Sequence, residues 1–316
     1  MSTLQEYISS FIQYKRSLGY TYETAERHLK NFKQFADENY PDISYPTKEC
    51  ADQFLLKYQG QSGGLYNMLS ALREFGRYIY SLGILDVYIV PSKHMPKMTA
   101  DSPYFFTPEE IDSLFVGIDK YFSVHKSGSK GRYIVLPAML RLIHCCGLRP
   151  KEARTLLLKN VHLSEGYFDV IQSKGPKNRR IYISGDLTDY LNRYNTIISG
   201  FFQKRLYFFP KQESSFYSEG QLDYAFKILW RYSFPDFEGD KTPRLYDLRH
   251  YFAWTNINNW VREGKDVNAM LPYLMRYMGH NCIKHTLYYF RFVPDFYNDF
   301  KELTKELNDC IQEVIT

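Results

Sequence analysis

The sequence predicts a mainly α-helical protein with a small antiparallel β-sheet, organised as two domains. Apolar residues recur at helical spacing along most of the chain. A short region at 160–183 instead alternates β-type segments with turn residues. The length of 316 residues also exceeds the size, roughly 250 to 300 residues, beyond which a single hydrophobic core rarely grows. Two separate cores are therefore expected.

Residues 1–88 are predicted to form a small helical domain. Its apolar residues recur every three or four positions from Leu4 to about Leu85. Turn residues around Gly19, around Pro41 and at 60–64 divide this stretch into four helices. Residues 89–106 then form a basic segment with repeated prolines, which we interpret as the linker between the domains.

The second domain is predicted over residues 107–293. Thr107-Pro108-Glu109-Glu110 supplies an N-cap, a proline at the first helical position and acidic residues in the first turn. An apolar helix over 133–146 ends at Gly147, and another begins near Pro150. Arg149 is therefore expected in a turn between two helices.

The predicted sheet has three strands, and helices follow it. The strands are expected at 161–163, 167–171 and 180–183, joined by turns at 164–166 and around 175–176. A further short strand is considered at 206–209. From residue 187 onward the rest is predicted to be helical, with helices at 219–233, 246–262, 268–278 and 283–292 and a tail helix within 294–316.

Composition excludes several classes of protein. The net charge of +5 favours a polyanionic partner only weakly. The five cysteines lack zinc-site spacing, so reduced thiols and no metal site are expected. No apolar run approaches the ~18 residues of a membrane span, and the first residues do not resemble a secretory signal. A cytoplasmic location is expected.

Four short clusters place basic or phenolic side chains at the ends of predicted elements. They are centred on Arg149, on Lys174, on Arg249 and on His280, and Tyr289 follows the last of these by nine residues. Each cluster alone is a weak signal, because an arginine after a helix-ending glycine is most often a solvated cap. Their order and spacing carry the information.

In this order the clusters resemble the tyrosine recombinases, the family of phage integrases, Xer resolvases and Cre. The resemblance covers nearly the whole chain, because residues 1–88 are similar in architecture to the family's SAM-like core-binding domain and residues 107–293 to its catalytic domain. Tyr246, Pro243-Arg244 and residues 266–271 are similar to integrases carried on transposons.

The resemblance implies a site-specific recombinase that acts through a 3′-phosphotyrosine intermediate and needs no metal or other cofactor. Arg149 and Arg249 would clamp the scissile phosphate, and His280 would hydrogen-bond it. Lys174 would protonate the leaving 5′ oxygen, and Tyr289 would be the nucleophile. The alternative for Lys174 is a solvated hairpin lysine, and for His280 a helix cap.

Two tyrosines need separate treatment. Tyr288 is a rival nucleophile, but neighbouring helical residues point about 100° apart, so only one can face the phosphate, and the spacing favours Tyr289. Tyr246 stands where most family members have a histidine, and a phenol is a poor base at neutral pH. We therefore hypothesise that Tyr246 binds or positions the phosphate, while the proton of the nucleophile goes to water or to a histidine.

Further basic residues are expected to bind DNA phosphates without reading bases. Those residues are Lys93, Lys97, Lys177, Arg179 and Arg180. Glu152 and Asp247 are predicted to orient the arginines, and His250 to be structural.

The resemblance also implies the partners: double-stranded DNA with a specific recombination site, and three further copies in a homotetramer, alone or with other recombinase subunits. The tail helix would dock on a neighbouring subunit or fold back on its own domain. Three alternatives stay open, namely a catalytically inactive recombinase subunit, a type IB topoisomerase and a general basic nucleic-acid binder. The target sequence and the direction of the reaction are not predicted.

Overall fold

The computed structural model describes residues 3–57, 62–92, 95, 102–126, 128, 130–171 and 178–280. These residues contain eleven α-helices and one three-stranded antiparallel sheet, which confirms the predicted fold class. The chain divides into two compact units between residues 101 and 102. The helix predicted at 283–292 and the tail helix at 294–316 lie outside the described residues.

The first unit is a four-helix assembly. Its helices are α1 (Leu4–Ser17), α2 (Glu23–Asn39), α3 (Lys48–Leu56) and α4 (Ser62–Ser81). Thr3 begins α1 with a capping box that includes Glu6, so two backbone N–H groups at this end are satisfied. Phe11 and Phe75 pack in the core with their ring centroids 5.5 Å apart. Val90, from the predicted linker, also belongs to this core.

The second unit contains the remaining helices and the sheet. The helices are α5 (Pro108–Val124), α6 (Arg132–Cys146), α7 (Pro150–Arg154), α8 (Gly185–Phe201), α9 (Glu219–Ser233), α10 (Asp247–Arg262) and α11 (Val267–Met278). Thr107 caps α5 through a capping box with Glu110, as its sequence signature predicts. Phe106 and Trp230 are fully buried in the core of this unit, with ring centroids 5.7 Å apart.

The sheet has the strand order β1-β2-β3, with β1 (Val161–His162), β2 (Tyr167–Val170) and β3 (Arg179–Tyr182). Asp169 lies opposite Arg180, and Val170 lies opposite Arg179. The first two strands end slightly earlier than predicted, and β3 begins and ends slightly earlier.

Two details of the second unit differ from the sequence-based prediction. The segment at 206–209 forms an isolated bridge between Tyr207 and Leu157 instead of a strand, because the partner is extended only at Leu157 and enters a 3-10 turn at Leu158–Asn160. Helix α8 at 185–201 was not predicted as a separate element, although its region was predicted to be helical.

Helices α10 and α11 pack against each other through a small apolar cluster. It consists of Ala253, Ile257, Val267, Leu271, Leu274 and Met278. This packing fixes the C-terminal end of α11, where the chain continues to His280. No helix within the described ranges has both the length and the apolarity required to cross a membrane.

Candidate active site

The candidate site is built around the C-terminal end of α11. Gly279 has φ of 65°, the left-handed conformation that glycine adopts readily. Its N–H donates to the carbonyl of Arg276, and the N–H of His280 donates to the carbonyl of Met275 at 2.9 Å. This Schellman-type ending turns the chain sharply and places the His280 side chain beside the helix end.

Three arginines from three different elements donate hydrogen bonds to three consecutive backbone carbonyls at this helix end. The pairs are Arg179 Nε to Tyr277 O at 2.7 Å, Arg249 Nη2 to Met278 O at 2.7 Å and Arg149 Nη2 to Gly279 O at 2.9 Å. The C-terminal carbonyls of a helix lack intrahelical partners and carry partial negative charge, so cations are favourable there. The row of carbonyls therefore holds all three guanidinium groups in one place.

Arg249 is completely buried although it carries a charge. It lies in the first turn of α10, and its Nη1 donates to the carbonyl of Gly147 at 2.6 Å. Its Nη2 lies 3.1 Å from Nε2 of His280. A guanidinium group can only donate, so in this contact the imidazole nitrogen is the acceptor and the ring is neutral. The structure thus brings together Arg249 and His280.

Arg149 precedes α7 and is partly exposed, with 31% of its side chain accessible. Its backbone N–H donates to Glu152 Oε2 at 2.9 Å, and its Nη1 donates to Glu152 Oε1 at 2.7 Å. The described residues supply acceptors for two of its five side-chain N–H groups. Donors thus remain for an anion, and the exposure provides access to it.

Glu152 is a nearly buried carboxylate shared by two arginines. Arg179 approaches it with both terminal nitrogens, Nη1 to Oε1 at 2.9 Å and Nη2 to Oε2 at 2.8 Å. Burial by itself raises the pKa of the Glu152 carboxyl, but the hydrogen bonds and charge of Arg179 and Arg149 outweigh it and bring the pKa to about 2. The carboxylate is ionised at neutral pH.

The predicted phosphate-binding residues of β3 are both engaged with carboxylates. Arg179 has only 8% of its side chain exposed, a placement that does not favour the predicted contact with DNA. Arg180 is about half exposed, but it forms a two-point ion pair with Asp169 and lies 3.7 Å from the ring centre of Tyr167. A DNA contact by Arg180 stays a prediction.

Tyr246 immediately precedes α10 and is exposed to 40%. Its ring packs edge-on against His250 with centroids 5.1 Å apart. Burial is the main cause that lowers the pKa of His250, to about 4, so this histidine is neutral at neutral pH.

Asp247 is a fully buried carboxylate that pairs with Arg244. Its Oδ2 accepts a hydrogen bond from the backbone N–H of Arg244 at 2.8 Å, and its Oδ1 forms an ion pair with the guanidinium group of the same residue. The carboxylate therefore orients Arg244, a residue not expected in the site, rather than Arg249.

Several predicted residues lie outside the described part of the chain. They are Lys93, Lys97, Lys174, Lys177, the rival Tyr288 and the nucleophile Tyr289. The described residues nevertheless bring Arg149, Arg249 and His280, which are far apart in sequence, to one helix end.

The sequence profile of the phage integrase family matches residues 105–293. The chain belongs to this family. This match confirms the resemblance inferred from the motifs. It also confirms, at the level of the family, that the protein is a site-specific tyrosine recombinase, which cuts and rejoins DNA strands. The matched region includes every described element of the site.

Individual relatives agree with this assignment. A Sinorhizobium fredii protein named as an integrase/recombinase, y4rB, is 26% identical over 305 residues, which cover 93% of this chain and 95% of the relative. The tyrosine recombinase XerD of Lacticaseibacillus casei is 25% identical, with 89% and 92% of the two chains covered. The fold is similar to that of lambda integrase in a tetramer bound to a Holliday junction, with a TM-score of 0.59, 15% identity and coverage of 90% and 77%.

The sequence contained a signal for the position of Arg179 that the motif comparison did not use. Side chains two apart on a strand face the same side, and Ile181 is completely buried. Arg179 therefore shares the inward face of β3, whereas Arg180 shares the outward face with the exposed Tyr182.

Proposed function

We propose that this integrase-family protein cuts one DNA strand with Tyr289, keeps the broken end as a 3′-phosphotyrosine and rejoins it to a second DNA end. The observation that supports this most is the convergence of Arg149, Arg249 and His280 at the end of α11. Tyr289 follows His280 by nine residues, so the nucleophile is carried by the chain that leaves this helix end.

In the proposed reaction the phenolic oxygen of Tyr289 bonds to phosphorus and the bond from phosphorus to the 5′ oxygen breaks. Negative charge grows on the non-bridging oxygens, and the guanidinium groups of Arg149 and Arg249 stabilise it more than they stabilise the ground state. Arg249 is suited to this role because two fixed carbonyls orient it before DNA binds. Lys174 would give a proton to the leaving 5′ oxygen.

The proton of Tyr289 is proposed to pass to water. His280 offers its Nε2 to Arg249 and so has that acceptor occupied, while a pKa of about 4 makes His250 a weak base. Tyr246 would instead hydrogen-bond or position the phosphate. A His250→Gln variant should therefore cleave within a few fold of the parental rate, and a loss of cleavage with an intact fold would assign the proton to His250.

The proposed partners are double-stranded DNA with a specific site and three further copies of the chain. The tetramer is proposed by analogy with the lambda integrase assembly, and the protein would act in the cytoplasm, on DNA. Residues 1–88 would form the core-binding domain and bind DNA. Residues 89–106 would link this domain to the catalytic domain at 107–293, and residues 294–316 would form the tail.

The test is a suicide substrate, a DNA duplex with a nick next to the cleavage position, so that the cut strand diffuses away and the covalent adduct accumulates. DNA that flanks the gene supplies the candidate sites. The parental protein and Tyr288→Phe should form an adduct, and Tyr289→Phe should form none. An adduct that persists in Tyr289→Phe and disappears in Tyr288→Phe would reverse the assignment of the nucleophile.

The same experiment separates the alternatives. Specific DNA binding without any adduct would indicate a catalytically inactive subunit that works beside an active recombinase. Relaxation of a supercoiled plasmid that lacks the site, without recombination, would indicate a type IB topoisomerase. Binding that falls steeply with salt and shows neither specificity nor cleavage would leave only a general nucleic-acid binder.

A further inference from the structure

We propose that Arg179 is a positioning residue for strand cleavage: it occupies Glu152, so that Arg149 stays available to the phosphate, and it ties β3 to the end of α11. The inference rests on the proposed function and deepens the description of the same site. It replaces the phosphate contact that the sequence suggested for Arg179.

The side chain of Arg179 is placed for contact with protein. It is 8% exposed, and all of its three nitrogens donate: Nη1 and Nη2 to Glu152, and Nε to the carbonyl of Tyr277 at 2.7 Å. Two parallel hydrogen bonds to one carboxylate form the geometry that guanidinium favours most. A DNA phosphate would have to displace Glu152 from this pairing.

The charge balance explains what the pairing does for Arg149. Glu152 lies 2.7 Å from Nη1 of Arg149, and with Arg149 as its main counterion it would compete with a phosphate for that guanidinium group. Arg179 supplies a second counterion that reaches both carboxylate oxygens at once. The end of α11 therefore gathers two guanidinium groups paired with Glu152, those of Arg149 and Arg179, and a third, that of Arg249, on the neighbouring carbonyl of Met278, and this arrangement favours the binding of an anion.

The position of Arg179 in the chain gives it a second effect. It is the first residue of β3, five positions after Lys174, and its Nε bond joins the beginning of that strand to the helix end that carries His280. The carbonyl row therefore fixes the first residue of β3. Loss of Arg179 should therefore slow the chemical step more than it weakens DNA binding.

The experiment compares Arg179→Gln, Glu152→Gln and the double variant in two assays. One is the rate of adduct formation on the suicide substrate at saturating protein. The other is the dependence of DNA affinity on salt, whose slope falls by ~1 when a variant removes one phosphate-binding cation. Arg141→Gln is the control, because it removes the same charge from another ion pair of this unit, with Asp119.

Arg179→Gln should slow adduct formation by roughly 10-fold or more, as losses of supporting partners do, with an unchanged salt slope. The double variant should recover part of the rate, because the uncompensated carboxylate is gone. Both rates are measured on fully folded protein, as checked by thermal unfolding, because a purely structural role would change the unfolding temperature and leave the cleavage rate of the folded protein unchanged. Arg179→Lys keeps the charge and is used if Arg179→Gln does not fold. If both variants fold, Arg179→Lys should form the adduct faster than Arg179→Gln; if only one folds, it should be Arg179→Lys.

Two results would overturn the inference. One is a salt slope reduced by ~1 with an unchanged cleavage rate, which would make Arg179 a ligand of a DNA phosphate. The other is a double variant that folds and is as slow as Arg179→Gln. Absence of any adduct in the parental protein would instead overturn the proposed function.

Discussion

The Nη2 atom of Arg249 lies 3.1 Å from the Nε2 atom of His280, although 31 positions separate the two residues in the chain. The contact depends on two backbone carbonyls, of Gly147 and Met278, that hold the arginine in a fully buried position. The two predicted phosphate ligands are therefore oriented by each other and by the protein backbone.

Arg249→Lys should abolish most cleavage while retaining the charge. A single ammonium nitrogen cannot reproduce the planar fork that reaches both carbonyls and the imidazole. We expect adduct formation to slow by about 100-fold or more, the usual cost of a fixed donor to a transition-state oxygen. The measurement is single-turnover cleavage, with thermal unfolding to confirm the fold. Arg141→Lys, in the exposed ion pair with Asp119, should cleave at nearly the parental rate.

Gly279→Ala should destabilise the protein and impair cleavage together. A Cβ at this position would lie 2.9 Å from Nη1 of Arg179, and its backbone has φ of 65°. Gly264 is a matched control, with the same φ but no described atom within 4 Å of the added Cβ. Urea unfolding of Gly264→Ala should report only the backbone cost, about 1 kcal/mol, and Gly279→Ala should lose more. Equal losses in both variants would show that the contact with Arg179 is unimportant.

Tyr246→Phe should cleave more slowly than the parental protein, by about 10-fold, since one hydrogen bond to the transition state contributes ~1 kcal/mol or somewhat more. The aromatic contact with His250 is kept in this variant, so the fold and the DNA affinity should change little. Tyr224→Phe, at an exposed position on α9, controls for the loss of a phenol. Parental cleavage by Tyr246→Phe would exclude a role for the hydroxyl.

Glu152→Gln should remove a dependence of stability on acid pH. Glu152 has a pKa of about 2 in the folded protein against an ordinary value of 4.5, so its ionised form stabilises the fold above pH 4.5. That contribution is lost as pH falls from about 4.5 to about 2, and it corresponds to about 3 kcal/mol. Urea unfolding of the parental protein and of Glu152→Gln should show the difference between their free energies of unfolding shrinking as the pH falls through this range. A constant difference would contradict the assignment, and Glu263→Gln, half exposed, serves as the control.

The sequence predicted the helices well because strong local signals begin and end them. Thr107 with Glu110 caps α5, and Gly279 ends α11, as their residue types suggest. The short strand considered at 206–209 is a single bridge in the structure, because the length of a strand depends on how far its partner stays extended, which local sequence does not reveal.

The motif residues of the site were predicted by their order in the chain, whereas their supporting contacts were not. Nothing local in the sequence indicates that Arg179 pairs with Glu152, 27 positions away, or that Asp247 pairs with Arg244 instead of Arg249. These choices are made by tertiary packing, which decides where each guanidinium group finds its acceptor.

The row of carbonyls at the end of α11 makes the three arginines thermodynamically dependent on one another. Removal of any one guanidinium group frees a carbonyl and loosens the peptide units on which the other two rest. Double-mutant cycles among Arg149, Arg179 and Arg249 should therefore give coupling free energies of about 0.5–3 kcal/mol rather than additive losses. A substitution at one of these arginines should therefore also impair phosphate binding by the others, so the three residues act as one functional unit.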